Sequence, residues 1–307
     1  MESRIAALCL LVILAPVARA DPERVPAALA SVRFVAYTPR GFDPGAGGPP
    51  PDRAALRADL ALLRTRFDGL VTYSCANGLD QLAALARDAG FRAVVLGVWS
   101  PSDSGELGRA LAAAGAERGV VIALAIGNEG LFFGRYDAAA LGAAFARARR
   151  DRPDLALATS EPFSVYLEPE RARALPAQDL LLPNVHPVDE PWFGSAPPSA
   201  SVELVANVVA ELEKRYGLPV LVKETGLPSG PESDGFSAAA QARFWKSLGE
   251  RLPRTRTHAF AYFEAFDAPW KPARALEASP AKRAREAYWG FYDEKGRAKP
   301  ALEAVTR

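Results

Sequence analysis

Beyond its first twenty residues the sequence keeps a single cysteine, Cys75, so no disulfide can close within the chain even in an oxidising compartment. Its two histidines, His186 and His258, are too few for a histidine-rich metal cluster, and no carboxylate metal signature accompanies them. No metal and no cofactor are therefore expected. A formal charge of +1 provides no field to attract nucleic acid or an anionic membrane. No apolar run reaches the roughly 20 residues needed to cross a bilayer. A dinucleotide fingerprint is missing as well: the first predicted strand is followed by Thr38-Pro39-Arg40-Gly41 and not by G-x-G-x-x-G. With no coiled-coil pattern and no apolar stripe, a monomer is expected.

The beginning of the chain reads as an export signal. Arg4 precedes an apolar stretch over 5–17, and Ala18-Arg19-Ala20 matches a small-x-small cleavage site that would make Asp21 the first mature residue. Leu8, ahead of Cys9, is not the small residue a lipoprotein signal requires. The expected organisation is a signal peptide over 1–20 and one domain over 21–307, periplasmic or extracellular, with no stable membrane anchor after cleavage.

From residue 31 onward, short apolar runs alternate with longer amphipathic ones. Strands are predicted over 32–37, 69–73, 92–98, 120–126, 155–159, 180–185, 219–223 and 257–263. Helices are predicted over 52–66, 79–89, 105–118, 138–150, 168–174, 202–216 and 238–252, the first capped by Asp52 and the sixth closed by Gly217. The segments 288–292 and 300–305 are expected to complete the last helical layer. Eight strand–helix units without a composition break imply an α/β fold, a single-domain (β/α)8 TIM barrel.

Active sites of such barrels lie at the C-terminal ends of the strands. Gly127-Asn128-Glu129 follows the fourth predicted strand and Glu224-Thr225-Gly226 the seventh; His186 ends the sixth, and Glu264 and Asp267 follow the eighth. A lone glutamate at a strand end is ordinarily a solvated loop residue or an ion-pair partner. Two at these positions meet the requirement of glycoside hydrolysis, in which one carboxyl group protonates the leaving oxygen and the other attacks or activates water.

These residues carry a resemblance. FVAYTP, IALAIGNE, LLPNVHP, LPVLVKETGLPS, AYFEAFDAPWK and YWGFYDEKGRAKP, which together span the chain after the leader, resemble glycoside hydrolase family 17, the β-1,3-glucanase family, and its bacterial members in particular. The resemblance implies Glu129 as acid/base and Glu224 as nucleophile, with retention of configuration. It implies Asn128 on the sugar 2-hydroxyl and Tyr37, Tyr73 and His186 around the −1 subsite. Glu264, Asp267, Lys271 and Glu286 would form a polar cluster nearby. Two positions depart from the family pattern: Leu227 stands where Trp is frequent, and His186 where plant members carry Tyr. Trp99, Trp192, Phe193 and Trp270 are candidate sugar platforms, Trp192 and Trp270 foremost, whereas Trp245 and Trp289 read as packing. The long loops over 187–200 and 225–237 are expected to wall a groove.

The substrate implied is a β-1,3-glucan, cleaved by water. A β-1,3-glucanosyltransferase, in which a sugar hydroxyl resolves the same intermediate, is the nearest rival. A non-catalytic carbohydrate-binding barrel would be favoured by loss of either glutamate, and both are present. A phosphate-binding isomerase lacks its glycine-rich loop, because the segment after the eighth strand is acidic and aromatic.

Overall fold

A computed structural model describes residues 21–274 and 280–305. The expected signal peptide lies outside the described residues. Nine parallel strands form the sheet: β1 (Phe34–Ala36), β2 (Gly69–Val71), β3 (Ala93–Val98), β4 (Val121–Asn128), β5 (Ala156–Pro162), β6 (Leu182–Val185), β7 (Val220–Val222), β8 (Glu224–Thr225) and β9 (His258–Tyr262). β1 pairs with both β2 and β9, and pairing then runs in order from β2 through β6. β6 pairs with β8, β7 pairs with β9, and a Leu181–Val220 bridge joins the remaining gap. β7 and β8 are thus one stave interrupted at Lys223, and the ring has the eight staves expected.

Alternation along the strands divides the core in two. Phe34, Val71, Ala93, Val95, Ala123, Ala125, Ala156, Ala158, Ala259 and Ala261 belong to one buried cluster, in which alanines dominate. Val35, Leu70, Val94, Leu96, Leu124 and Leu157 belong to another, with Leu56, Leu60 and Leu63 of the helix Arg53–Arg64 and Val205 and Val209 of the helix Pro198–Tyr216. The first is the barrel interior and the second the layer between sheet and helices, as the period of two requires. Asp52 caps its helix by accepting the Ala55 N–H at 3.2 Å, and Gly217 takes the left-handed φ of 62° that ends a helix. Both were expected.

Three features differ from expectation. A helix not anticipated, α1 (Arg24–Ser31), places Val25, Ala28 and Leu29 in the barrel-interior cluster. After β5 the chain makes two short helices, Phe163–Leu167 and Pro169–Ala172, where one over 168–174 was expected; Pro169 begins the second by removing a backbone donor from the first. The segment 288–292 is not helical. It runs beside the chain that leaves β9, with Phe291 N–H donating to the Glu264 carbonyl and Tyr292 N–H to that of Ala265; only 300–304 forms a short 3-10 helix. Among the described residues, no helix is long and apolar enough to cross a membrane.

Leu29 is fully buried where α1 meets the strands. Leu29→Ala is expected to cost about 2–5 kcal/mol. A lowered midpoint in denaturant unfolding checks this, and an unchanged midpoint would show that α1 is not part of the cooperative fold.

Candidate active site

The fourth stave ends in a turn whose geometry its sequence dictates. Glu129 sits at φ 53°, a left-handed conformation that costs a non-glycine residue about 1–2 kcal/mol. Glycines flank the Asn128-Glu129 pair because Tyr136 packs against both: a Cβ on Gly127 would lie 2.1 Å from the Tyr136 hydroxyl, and one on Gly130 1.9 Å from its ring. The turn is fixed from beneath by Glu161, fully buried at the end of β5. Its carboxylate accepts the N–H groups of Leu131 and Phe132 at 3.0 and 3.2 Å and the Tyr136 hydroxyl at 3.2 Å. The Glu129 N–H donates to the Ser160 carbonyl at 2.7 Å.

Polar side chains from three other staves complete the centre. Asn184, from β6, donates to Glu129 Oε1 at 2.9 Å and is held through its own carbonyl by the Ser160 hydroxyl at 3.0 Å. Lys223, 1% exposed between β7 and β8, donates to Asn128 Oδ1 and, at 3.0 Å, to Glu224 Oε1. Its ammonium also lies 3.9 Å from the Tyr73 ring centroid. His186 Nε2 faces Glu224 Oε2 at 3.4 Å, and the imidazole packs edge-on against Phe263 and Trp289. The Tyr73 hydroxyl is buried beside Glu224, and burial, the charges of Glu224 and Glu264 and an interaction with the Glu224 carboxylate hold its proton affinity well above the usual phenol range.

One donor atom each of Glu129, His186 and Glu224 come within 4.8 Å of one another. The spacing would admit a cation, but Lys223 already places a positive charge on Glu224. An approach of the two carboxylate oxygens within this distance accords with the about 5–5.5 Å between groups of a nucleophile and acid/base pair. Their proton affinities diverge. Burial, reinforced by the charge of Glu224, pushes Glu129 up to about 7. Burial would raise Glu224 too, yet the Lys223 charge and the His186 and Lys223 hydrogen bonds outweigh it and hold Glu224 far below the usual carboxylate range. His186 is raised to about 9: burial favours its neutral form, but the contact with Glu224 prevails.

A second ionic group adjoins the first. Glu264, after β9, is buried and accepts from Lys271, whose ammonium stands 4.9 Å from the Phe263 ring and 6.0 Å from that of Trp270. Burial brings Glu264 to about 7 against the pull of Lys271. Glu286, bonded to Arg285, lies near enough to act on both by charge.

Of the residues singled out in the sequence, Asn128, Glu129, Tyr73, His186, Glu224, Glu264, Lys271 and Glu286 converge, with Trp270 at their margin. Tyr37 does not join them. It points outward from β1, 1% exposed, and donates to Asp59 of the helix layer at 3.1 Å; on an alternating strand, Ala36 takes the site-facing position instead. Asp267 is also turned away: it accepts from Lys299 at 2.7 Å and from the Gly290 N–H at 2.8 Å, pinning the C-terminal segment. Trp192 is partly exposed on its loop, while its neighbour Phe193 stacks on Phe236 and joins the two long loops. Trp245 and Trp289 are both buried in the core, as expected, and Trp289 also packs edge-on against His186. Lys223 and Asn184 were missed. The available signal was a charged and an amide side chain, each inside an otherwise apolar strand.

A family model described as the BtgE/BtgC glycoside hydrolase domain matches residues 35–290. A glucan 1,3-β-glucosidase of Arthroderma benhamiae is 27% identical over 259 residues, covering 78% of this chain and 82% of that protein. Among solved structures, an active-site mutant of a β-1,3-glucanosyltransferase from Rhizomucor miehei, in complex with laminaritriose, superposes with a TM-score of 0.65 at 19% identity, over 88% of this chain and 96% of that one. An endo-laminarinase from Formosa gives 0.65 at 18% identity, over 88% and 85%. At these identities the structures establish a common fold.

The opposed affinities of the two carboxyl groups can be read directly. In a carbon-detected titration of glutamate side chains, Glu129 should show a midpoint about 7, and Glu224→Gln should lower it by removing the neighbouring charge. Glu264→Gln identifies the other signal in that range. A Glu129 midpoint unmoved by Glu224→Gln would mean that burial alone sets it.

Proposed function

Because the chain belongs to the BtgE/BtgC glycoside hydrolase domain family, we propose that it cleaves β-1,3-glucan with retention of configuration, using Glu129 as acid/base and Glu224 as nucleophile. The observation that carries this reading is the close pair itself, one member ionised and the other protonated near neutrality. The names of the glucosidase and glucanosyltransferase relatives support the linkage. Export is part of the proposal and rests on the pattern of residues 1–20.

The reaction follows from the geometry in two displacements. Glu224 attacks the anomeric carbon as the bond to the leaving oxygen breaks, and Glu129 gives that oxygen its proton. Lys223 and His186 orient the attacking carboxylate. Both acceptor contacts of Asn128 go to its carbonyl oxygen, from Lys223 and Asn184, so its NH2 is the group available to a sugar hydroxyl. Glu129, now a carboxylate, then deprotonates water; the hydroxide attacks the anomeric carbon and Glu224 leaves. A sugar hydroxyl in place of that water makes the enzyme a glucanosyltransferase, a reading favoured by the similarity to the Rhizomucor protein.

Incubation with reduced laminari-oligosaccharides, resolved by size over time, should give shorter products. Products longer than the starting sugar would show transfer, and no change at all would remove β-1,3-glucan as the substrate. Glu224→Ala should abolish turnover. Azide should rescue it to a product of inverted configuration, whereas azide rescue of Glu129→Ala should retain configuration. The reverse pattern would exchange the two roles.

The pH dependence tests Lys223. Activity should be lost as pH rises through about 7, where Glu129 gives up its proton. In Lys223→Met, Glu224 loses the charge that keeps it ionised. The acid limb should therefore move to higher pH, with kcat lowered about 100-fold, as when a preorganised donor is removed from a transition state. An acid limb that stays in place would show that Lys223 serves packing alone.

A further inference from the structure

Large apolar side chains seldom stand exposed without a use when they are clustered. Of the four such residues among those described, three lie on two adjacent loops of the catalytic face: Trp99 after β3, 42% exposed, and Phe132 and Phe133 after β4, 43% and 44%. They do not sit on slack loops. The Phe132 N–H is held by buried Glu161, the Phe133 N–H donates to the Glu129 carbonyl at 3.1 Å, and the two rings meet edge to face at 5.0 Å. Arg135 ties Trp99 to the centre, its guanidinium lying 4.3 Å from the indole and donating to the Asn128 carbonyl. Beyond Phe132, Arg171 stands 5.2 Å from that ring. Exposed rings and guanidinium groups thus come from the segments that follow β3, β4 and β5, tied to the Asn128-Glu129 turn through Arg135 and the Phe133 N–H.

From this arrangement we propose that Trp99, Phe132 and Phe133 form a distal platform for a β-1,3-glucan chain, taking sugar units beyond those at the point of cleavage. The inference rests on the function proposed above. Aromatic faces match the C–H faces of pyranose rings, and Arg135 and Arg171 supply donors for hydroxyl groups at the edges. The rings are continuous with Glu129 through two hydrogen-bonded contacts, so a chain in the centre meets them as it leaves. Fixing their backbone beforehand lowers the ordering cost of binding. A remote platform of this kind makes the enzyme prefer long chains, because only they reach it.

The test compares kcat/KM on reduced laminariheptaose and reduced laminaritriose for the wild type, Trp99→Ala and the double variant Phe132→Ala/Phe133→Ala. In each variant the heptaose-to-triose ratio should fall about tenfold, equivalent to about 1.4 kcal/mol, and Trp99→Phe should recover part of the loss. A ratio unchanged because both substrates suffer equally would overturn the platform, assigning these residues to support of Asn128 and Glu129. A ratio unchanged because neither substrate suffers overturns it too. If the variants alter the sedimentation coefficient at an unchanged ratio, the patch is a contact between protein copies. A wild type inert toward both sugars removes the proposed substrate, and the platform with it. Wild-type turnover at an unchanged ratio removes the platform alone.

Discussion

The structure turns on one ammonium group taken out of water. Lys223 is buried at the break in the seventh stave, and an uncompensated charge there would be very costly. Its compensation comes from Glu224 Oε1, Asn128 Oδ1 and the face of Tyr73, contributed by three different staves. The charge that must be neutralised is thus the one that positions Glu224, the Asn128 amide beside Glu129 and an aromatic wall. A chain unable to bring these staves together could not bury Lys223. Specification of the barrel and assembly of the centre are therefore one physical requirement.

The remaining ionic groups extend the same arrangement. Glu129, Glu224 and Glu264 face Lys223, His186 and Lys271 across a small buried volume, and the pairing is uneven. Among the described residues, Glu224 holds two cationic partners, Glu264 holds one, and Glu129 accepts from the neutral Asn184 amide. Partition of partners, not the intrinsic acidity of identical side chains, makes one glutamate an anion and another an acid. The left-handed backbone at Glu129 belongs to the same design, since it turns the carboxyl group out of the strand direction into the space above β6. Gly127 and Gly130 make room for the Tyr136 ring that supports it.

Much of this was legible in the sequence, for reasons that also explain what was not. Strand positions were visible because parallel strands buried on both faces are continuous apolar runs, and caps such as Asp52 and Gly217 marked the helices between them. Glu129 and Glu224 stood out because each follows such a run and ends it. Lys223 did not, because a lysine closing an apolar run reads as the strand's solvent-facing end; burial is set by staves far away in sequence. Asn184 was hidden in the same way between Pro183 and Val185. Tyr37 was misplaced because a strand end shows that a residue is near the catalytic face without showing whether it points into the barrel. That parity is set by register, and here Ala36 faces the site. The segment 288–292 looked helical only by position in the count of units; its aromatic residues serve an extended run beside β9, where Trp289 backs His186.

The uneven pairing also governs the second displacement. In the reaction proposed above, Glu224 carries no charge once it is esterified, and Lys223 and His186 lose their anion together. The Lys223 ammonium then remains near Glu129, which has just given up its proton, while His186, raised by its contact with Glu224, loses the main cause of its charge. The repulsion that raised the affinity of Glu129 has vanished, and the Lys223 charge, which previously acted mainly on Glu224, now stabilises its carboxylate. Glu129 is accordingly held ionised at the moment when the second displacement needs a base. Its affinity swings in the required direction through the loss of a single neighbouring charge, with no movement of the chain. The ester oxygen facing Lys223 keeps its donor throughout, so the ammonium that steadied the nucleophile in attack can steady the carboxylate as it departs. In the proposed reaction one buried ammonium thus serves both displacements, and the choice between water and a sugar hydroxyl passes to whatever occupies the cleft when the intermediate forms.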